Sequence, residues 1–270
     1  MIVCVLGRGK VGTALARAAR EAGLVVHHLK GHPPWRRVPA ADLYLLAVPD
    51  AALREVGLAL APRARASASV LHCAGARSHE ELAGLREHGI SVGVMHPLVS
   101  FAARRRPPRF AHTTFVLQGD LAARRRARHL VRALGAHPLE TRALGPAYHA
   151  AAALVANASA ALTHAGAEIL ERLGFPPKQA RRALAGLLAS VADNVANVGL
   201  PGALTGPVAR GDARTVAAHL DALERLSAPA ARAYASVQPL VLACAEDAGL
   251  SAKDARRIRA LLAARAQRKT

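Results

Sequence analysis

With 270 residues, 52% of them hydrophobic and only 3% aromatic, the chain is long enough for about two domains whose cores rest on Leu, Val and Ala. The formal net charge of +19 is mostly arginine; because the arginines are spread along the chain with no nucleic-acid motif among them, specific nucleic-acid recognition is set aside and salt-sensitive, non-specific adhesion to polyanions is expected. The apolar run at residues 2–6 is too short for a signal peptide, the odd and widely spaced Cys4, Cys73 and Cys244 fit reduced thiols in a cytoplasm, and no Cys/His spacing predicts a metal site.

Ile2 to Leu6 is a short apolar, β-branched run, and residues 13–22 read as a helix ended by Gly23. Between them lies Gly7-Arg8-Gly9-Lys10-Val11-Gly12, a G-x-G-x-x-G in strand–turn–helix context. Gly7 allows the tight turn, Gly9 lets a pyrophosphate approach the backbone, and Gly12 lets the helix pack on the strand. Free N–H groups at the helix start, with the dipole behind them, then hold phosphates. A dinucleotide site is therefore expected at residues 7–12, with Arg8, Lys10 and Val11 alongside the glycines.

Val25 to Leu29 is the second strand. An acidic residue near its end takes the ribose 2′-hydroxyl in NAD-binding members of such folds. Here that neighbourhood offers Lys30, Arg36 and Arg37 and no acid before Asp42, which suits a 2′-phosphate and favours NADP over NAD. Asp42 to Val48 is a continuous apolar strand of the buried parallel kind. Val48 and Pro49 end it toward the cofactor, and Asp50 is expected to cap a helix from Ala51. Ser69 to Gly75 is the next strand and turn, placing Cys73 and Gly75 beside the cofactor, and a helix is predicted over 79–87. Ile90 to Pro97 is a strand ending on His96, locked before a proline. Residues 101–110 form a basic loop containing Arg104, Arg105 and Arg106. A strand at 113–117, a basic helix at 121–134 and a short strand near 137–141 complete the half. Strands alternating with helices predict a doubly wound parallel sheet over residues 1–144.

Beyond Gly145-Pro146 only helices are predicted, at about 147–173, 177–198, 213–226, 229–248 and 252–267, which makes residues 145–270 an all-α domain. Residues 150–167 carry no charge, yet alanine with Asn157, Ser159, Thr163 and His164 reads as a buried helix and not a membrane span. Its apolar circumference needs cover all round, which predicts a homodimer formed by the first two helices. Leu204 to Asp212 is a Gly-containing loop with Arg210 and Asp212, a candidate functional segment in which Asp212 is expected to cap the helix from Ala213.

Hydride transfer to a carbonyl or imine needs a proton donor and a group that holds the substrate. His96 stands at a strand end where ligands bind; the plainer alternative is a histidine bonded to backbone. His149 opens the first helix and Asn157 follows two turns on, as candidate catalytic groups or as cap and helix-contact residues. Arg210 suits a carboxylate clamp and Thr205 a substrate hydrogen bond, against a surface arginine and a self-bonded turn.

The segments GRGKVGTAL, LLAVPD, MHPLVSF, YHAAAALVANASAAL and LTGPVARGD together resemble bacterial proteins that pair a Rossmann-like NADP-oxidoreductase domain with a C-terminal helical domain of unknown function. More distantly the chain is similar to pyrroline-5-carboxylate reductase, ketopantoate reductase, deazaflavin-dependent NADP reductases and hydroxyacid dehydrogenases. The resemblance implies a nicotinamide cofactor, a cleft between domains and dimerisation through the helices, without a substrate. Hydroxyacid and ketopantoate enzymes of this group carry a catalytic lysine on the first helix after the sheet, whereas this chain has no lysine between Lys30 and Lys178, and the matching helix offers Tyr148, His149 and Asn157 instead. The expectation is a cytoplasmic NADP-dependent oxidoreductase acting on a small polar or carboxylated carbonyl or imine. The missing lysine keeps open a non-catalytic NADP-binding sensor or scaffold.

Overall fold

The computed structural model describes residues 1–103, 107–142 and 144–267, so Arg104 to Arg106 lie outside the described residues. Seven strands form one sheet in the order β2-β1-β3-β4-β5-β6-β7. They are β1 Ile2–Leu6, β2 Val25–Leu29, β3 Leu43–Leu46, β4 Ser69–His72, β5 Ser91–Pro97, β6 Thr114–Gly119 and β7 His137–Glu140. The helices are α1 Lys10–Glu21, α2 Leu53–Leu60, α3 Leu121–Ala133, α4 Pro146–Arg172, α5 Pro177–Val198, α6 Ala213–Leu226, α7 Ala228–Asp247 and α8 Ala252–Gln267.

The first five strands are mutually parallel, and β6 runs antiparallel to β5. An antiparallel neighbour needs only a returning loop, whereas a parallel one needs a crossover; the described part of 98–113 is loop. Parallel pairing resumes between β6 and β7, where α3 supplies the crossover. The chain leaves β1 for β2 on one side and returns for β3 on the other, which puts the switch point between β1 and β3.

Both faces of the sheet are covered, which is why its strands read as unbroken apolar runs. Val3, Val5, Leu43, Leu45, Leu71 and Met95 pack with α1 and α3 on one face. Cys4, Leu6, Tyr44, Leu46, Val70 and Val92 pack on the other with Leu53, Val56, Leu82 and Leu85. Each fully buried Leu or Val contributes about 1.5–3 kcal/mol of transfer free energy. The segment expected as a helix at 79–87 is a 3₁₀ helix, His79–His88, capped by the Ser78 side chain. Asp50 does not cap: Pro49 takes the N-cap position of a 3₁₀ turn, Asp50–Ala52, and the Asp50 carboxylate instead faces Arg77 at 3.8 Å.

The chain divides into two compact units, Met1–Ala156 and Asn157–Thr270, with the division inside α4. The second unit has its own core, in which Val208, Val216 and Leu220 meet Leu242, Ala245 and Ile258 of α7 and α8. The expectation of a buried α4 is not met within one chain. Ala167 is its one buried residue, while Leu154 and Val155 are 62% and 70% exposed. No helix is long and apolar enough to cross a membrane, among the described residues.

Candidate active site

Because the first five strands run the same way, their carboxyl ends share one edge, the edge where ligands bind in such sheets. The glycine turn leaves β1 there. Gly7 has φ +123°, and a Cβ on it would lie 2.1 Å from the Ala47 carbonyl oxygen; a Cβ on Gly12 would lie 2.0 Å from the Gly7 oxygen. Both positions therefore require glycine for the packing of α1 on the sheet. Gly9 is different: nothing lies within 4 Å of its missing side chain, so the open space over its backbone is left for a ligand. Gly9 is also the N-cap of α1, whose first-turn N–H groups carry the positive end of the helix dipole. The turn thus fits the phosphates of a dinucleotide, with Arg8, Gly9 and Lys10 exposed beside it and Val11 part-buried.

The turn is braced from β2. His28 Nε2 lies 2.8 Å from the Gly7 carbonyl oxygen, and the Arg8 guanidinium donates to the His28 carbonyl at 3.4 Å. Lys30, Arg36 and Arg37 are exposed on the loop after β2, where Trp35 Nε1 donates to the Lys30 carbonyl. Val48 and Pro49 follow β3 at the same edge. After β4, Cys73 packs partly into the core, and burial pushes its thiol up to about 12, so it stays protonated.

His72, the last residue of β4, is fully buried. Its Nε2 lies 3.0 Å from the Ser78 carbonyl oxygen and its Nδ1 accepts from the Ala74 N–H. The neutral ring therefore ties the two ends of the turn that carries Gly75, and burial lowers its pKa. Gly75 in turn seats His96: a Cβ there would come within 2.7 Å of His96 Nε2.

His96 is brought together with the start of α4. Its Nδ1 is 2.8 Å from the Tyr148 hydroxyl, with the rings edge to face at 5.5 Å. The His149 ring stands edge-on to His96 at 6.0 Å. Burial, and next the neighbouring His149, lower the His96 pKa to about 4, while burial raises Tyr148 to about 12. Both groups are thus uncharged near neutrality, and His96 is not a resting imidazolium. The pairing of Tyr148 with His96 was not read from the sequence: the two are 52 residues apart, and no spacing rule joins them.

Asn157, Thr205 and Arg210 belong to the second unit, and all three are exposed. Asp212 caps α6 as expected, accepting from the Thr215 N–H at 3.0 Å. Gly211 beside it, at φ +72°, has no room for a Cβ against Asp254 at the start of α8. Arg210 is therefore carried on a loop pinned at one end, with its side chain free of the packing.

Residues 113–239 match the family model of a domain of unknown function, DUF2520. That segment is similar to the domain, and the sheet that precedes and enters it is Rossmann-like. The matched segment runs from the edge of β6 into α7, across both compact units. No curated protein matches the chain. Among solved structures it is similar to a candidate NADP oxidoreductase from Bacteroides fragilis, with 19% identity, TM-score 0.68, and 90% of this chain and 98% of that one covered. A protein from Thermotoga maritima aligns at 21% identity and TM-score 0.67, over 91% and 98% of the two chains. Plasmodium falciparum pyrroline carboxylate reductase, solved with NADP bound, aligns at 11% identity and TM-score 0.59, over 97% and 98%. At these identities the likeness establishes the fold.

Proposed function

We propose that the protein is an NADP-dependent oxidoreductase acting on a small polar or carboxylated substrate. The observation that carries this reading is the open glycine turn, with space over Gly9 at the carboxyl edge that also bears His96. When bound, NADP supplies or removes a hydride, and the protein's task is to position the substrate and to move a proton. Gly7, Gly9 and Gly12 shape the phosphate cradle. Lys30, Arg36 and Arg37, with Arg8 close to the end of β2, are assigned to the 2′-phosphate, since no acidic side chain stands between β2 and Asp42 to take a ribose 2′-hydroxyl. Val48, Pro49, Cys73 and Gly75 border the cofactor along the same edge. Arg210 is assigned to a substrate carboxylate, and Thr205 and Asn157 to its polar groups.

The apolar residues left uncovered on α4 and α5, Leu162, Leu187 and Val191 among them, support a homodimer through these helices. Calorimetric titration of NADP and NAD tests the cofactor assignment: NADP is expected to bind more tightly, and equal affinity ends the claim. Turnover across a panel of small oxoacids, imino acids and their reduced forms tests the reaction. NADP binding with no turnover in that panel would favour the non-catalytic sensor.

A further inference from the structure

We propose that Tyr148 is the residue that exchanges a proton with the substrate's reacting oxygen, with His96 behind it as the acceptor and source of that proton. The assignment builds on the oxidoreductase reading and names the proton-moving group within the same site. His96 Nδ1 and Tyr148 Oη are 2.8 Å apart, and the two rings meet at 85°, so packing and a hydrogen bond together fix the hydroxyl. Gly75 holds the other side of the His96 ring, where no side chain fits. His96 ends β5 at the carboxyl edge, and Tyr148 is only part-buried, which leaves its oxygen within reach of a ligand.

Between a phenol and a neutral imidazole, the phenol is the stronger acid and the imidazole nitrogen the stronger base. The bond is therefore Tyr148 O–H donating to His96 Nδ1, with the imidazole proton on Nε2. A lone pair of Tyr148 Oη is then free to accept from a substrate hydroxyl. In alcohol oxidation a nicotinamide cofactor held at the Gly7–Gly12 turn would supply the hydride acceptor, as the substrate's C–H bond breaks and its C=O bond forms. The hydroxyl proton passes to Tyr148 Oη, and the proton Tyr148 already held passes to His96 Nδ1. His96, now imidazolium, gives one proton to water. Carbonyl reduction is the same sequence reversed, with the proton entering at His96. Tyr148 is the catalytic residue in this scheme, and His96 is a positioning residue that acts through it.

The test joins ¹⁵N NMR of histidine-labelled protein to turnover with NADP(H) over small 2-hydroxyacids and oxoacids. The wild type should show His96 protonated on Nε2 and bare on Nδ1, and Tyr148→Phe should shift the Nδ1 resonance. Tyr148→Phe should also lower turnover by about two to four powers of ten with NADP affinity unchanged. His96→Gln should lower turnover and alter its pH profile, and it decides the matter if Tyr148→Phe does not fold. Tyr234→Phe provides the control. It removes a second tyrosine–histidine pair, in which His219 Nδ1 is 3.1 Å from Tyr234 Oη, within the other unit, and should leave turnover unchanged. A proton on His96 Nδ1 in the wild type overturns the scheme whatever the substrate, as does wild-type turnover in Tyr148→Phe. Failure of the wild type to bind NADP, or to turn over any member of the panel, instead counts against the oxidoreductase reading, and the NMR measurement still decides the pair.

Discussion

A Cβ on Gly75 would lie 2.7 Å from His96 Nε2 and 2.9 Å from two carbons of the same ring. Gly75→Ala must therefore displace His96 and break its bond to Tyr148. The expected cost is about 1–3 kcal/mol, the range for inserting a methyl group into a filled site, with loss of the shifted His96 titration; thermal unfolding and NMR check the two effects. The titration also has a sign for stability. His96 faces Tyr148 and His149 on α4, His72 on β4 and Asp50 after β3, and in the folded state it takes up its proton only at about 4. The unfolded chain takes up that proton near 6.5, so the unfolded state binds more protons between those values and stability falls as pH is lowered through them. The lowered pKa of buried His72 acts in the same direction. His96→Gln should flatten the dependence of the denaturation midpoint on pH between about 6.5 and 4; an unchanged slope would remove His96 from this account. His96 was legible in the sequence because it ends an apolar strand before a proline. Its bond to Tyr148 was not, because a tyrosine on a helix carries no information about a strand 52 residues earlier.

The glycine turn between β1 and α1 separates packing from binding within one element. Gly12→Ala places a methyl group 2.0 Å from a backbone oxygen that cannot move aside cheaply. It should lose stability by about 2 kcal/mol or more, and dinucleotide binding with it. Gly9→Ala meets no atom and keeps an ordinary φ of −72°. It should leave the unfolding temperature nearly unchanged while weakening NADP, because the methyl group occupies the ligand's approach. Parallel calorimetry and thermal melts on the two variants check this, and equal loss of affinity with no difference in stability would contradict it. The pattern G-x-G-x-x-G made all three glycines legible; which of them serve packing, and which the ligand, depends on neighbours such as Ala47 that only the folded chain supplies. The same holds for Asp50. Its place before an apolar run suggested a cap, but Pro49 holds the N-cap position and the carboxylate faces Arg77.

At the scale of the molecule, α4 and α5 carry eight of the large apolar side chains left exposed among the described residues, including Leu154, Leu162, Leu187, Val191 and Val198. Exposed apolar surface of this extent is stabilised by a partner surface of the same kind. Light scattering in moderate salt should give twice the chain mass of 28.1 kDa. Val191→Asp with Leu162→Asp should yield monomers, and a wild-type monomer at micromolar concentration would count against the dimer. The net charge of +19 acts separately. Heparin or duplex DNA of any sequence should retain the protein at low salt and release it steeply as salt rises; retention that depends on sequence would revive specific nucleic-acid binding.

The sequence by itself determined the alternation of strands and helices, the change to helices alone after Gly145-Pro146, and the glycine turn, because each is a local pattern of side-chain size and polarity. Tertiary structure decided the rest. The antiparallel setting of β6 goes with a connection from β5 whose described residues are loop. The exposure of α4, of whose residues Ala167 is the buried one, belongs here too. The Gly75–His96–Tyr148 arrangement joins the end of one strand, the turn after another and the first turn of a helix. Such a site forms only when elements far apart in the chain converge on one edge of a sheet, and no local pattern records that convergence.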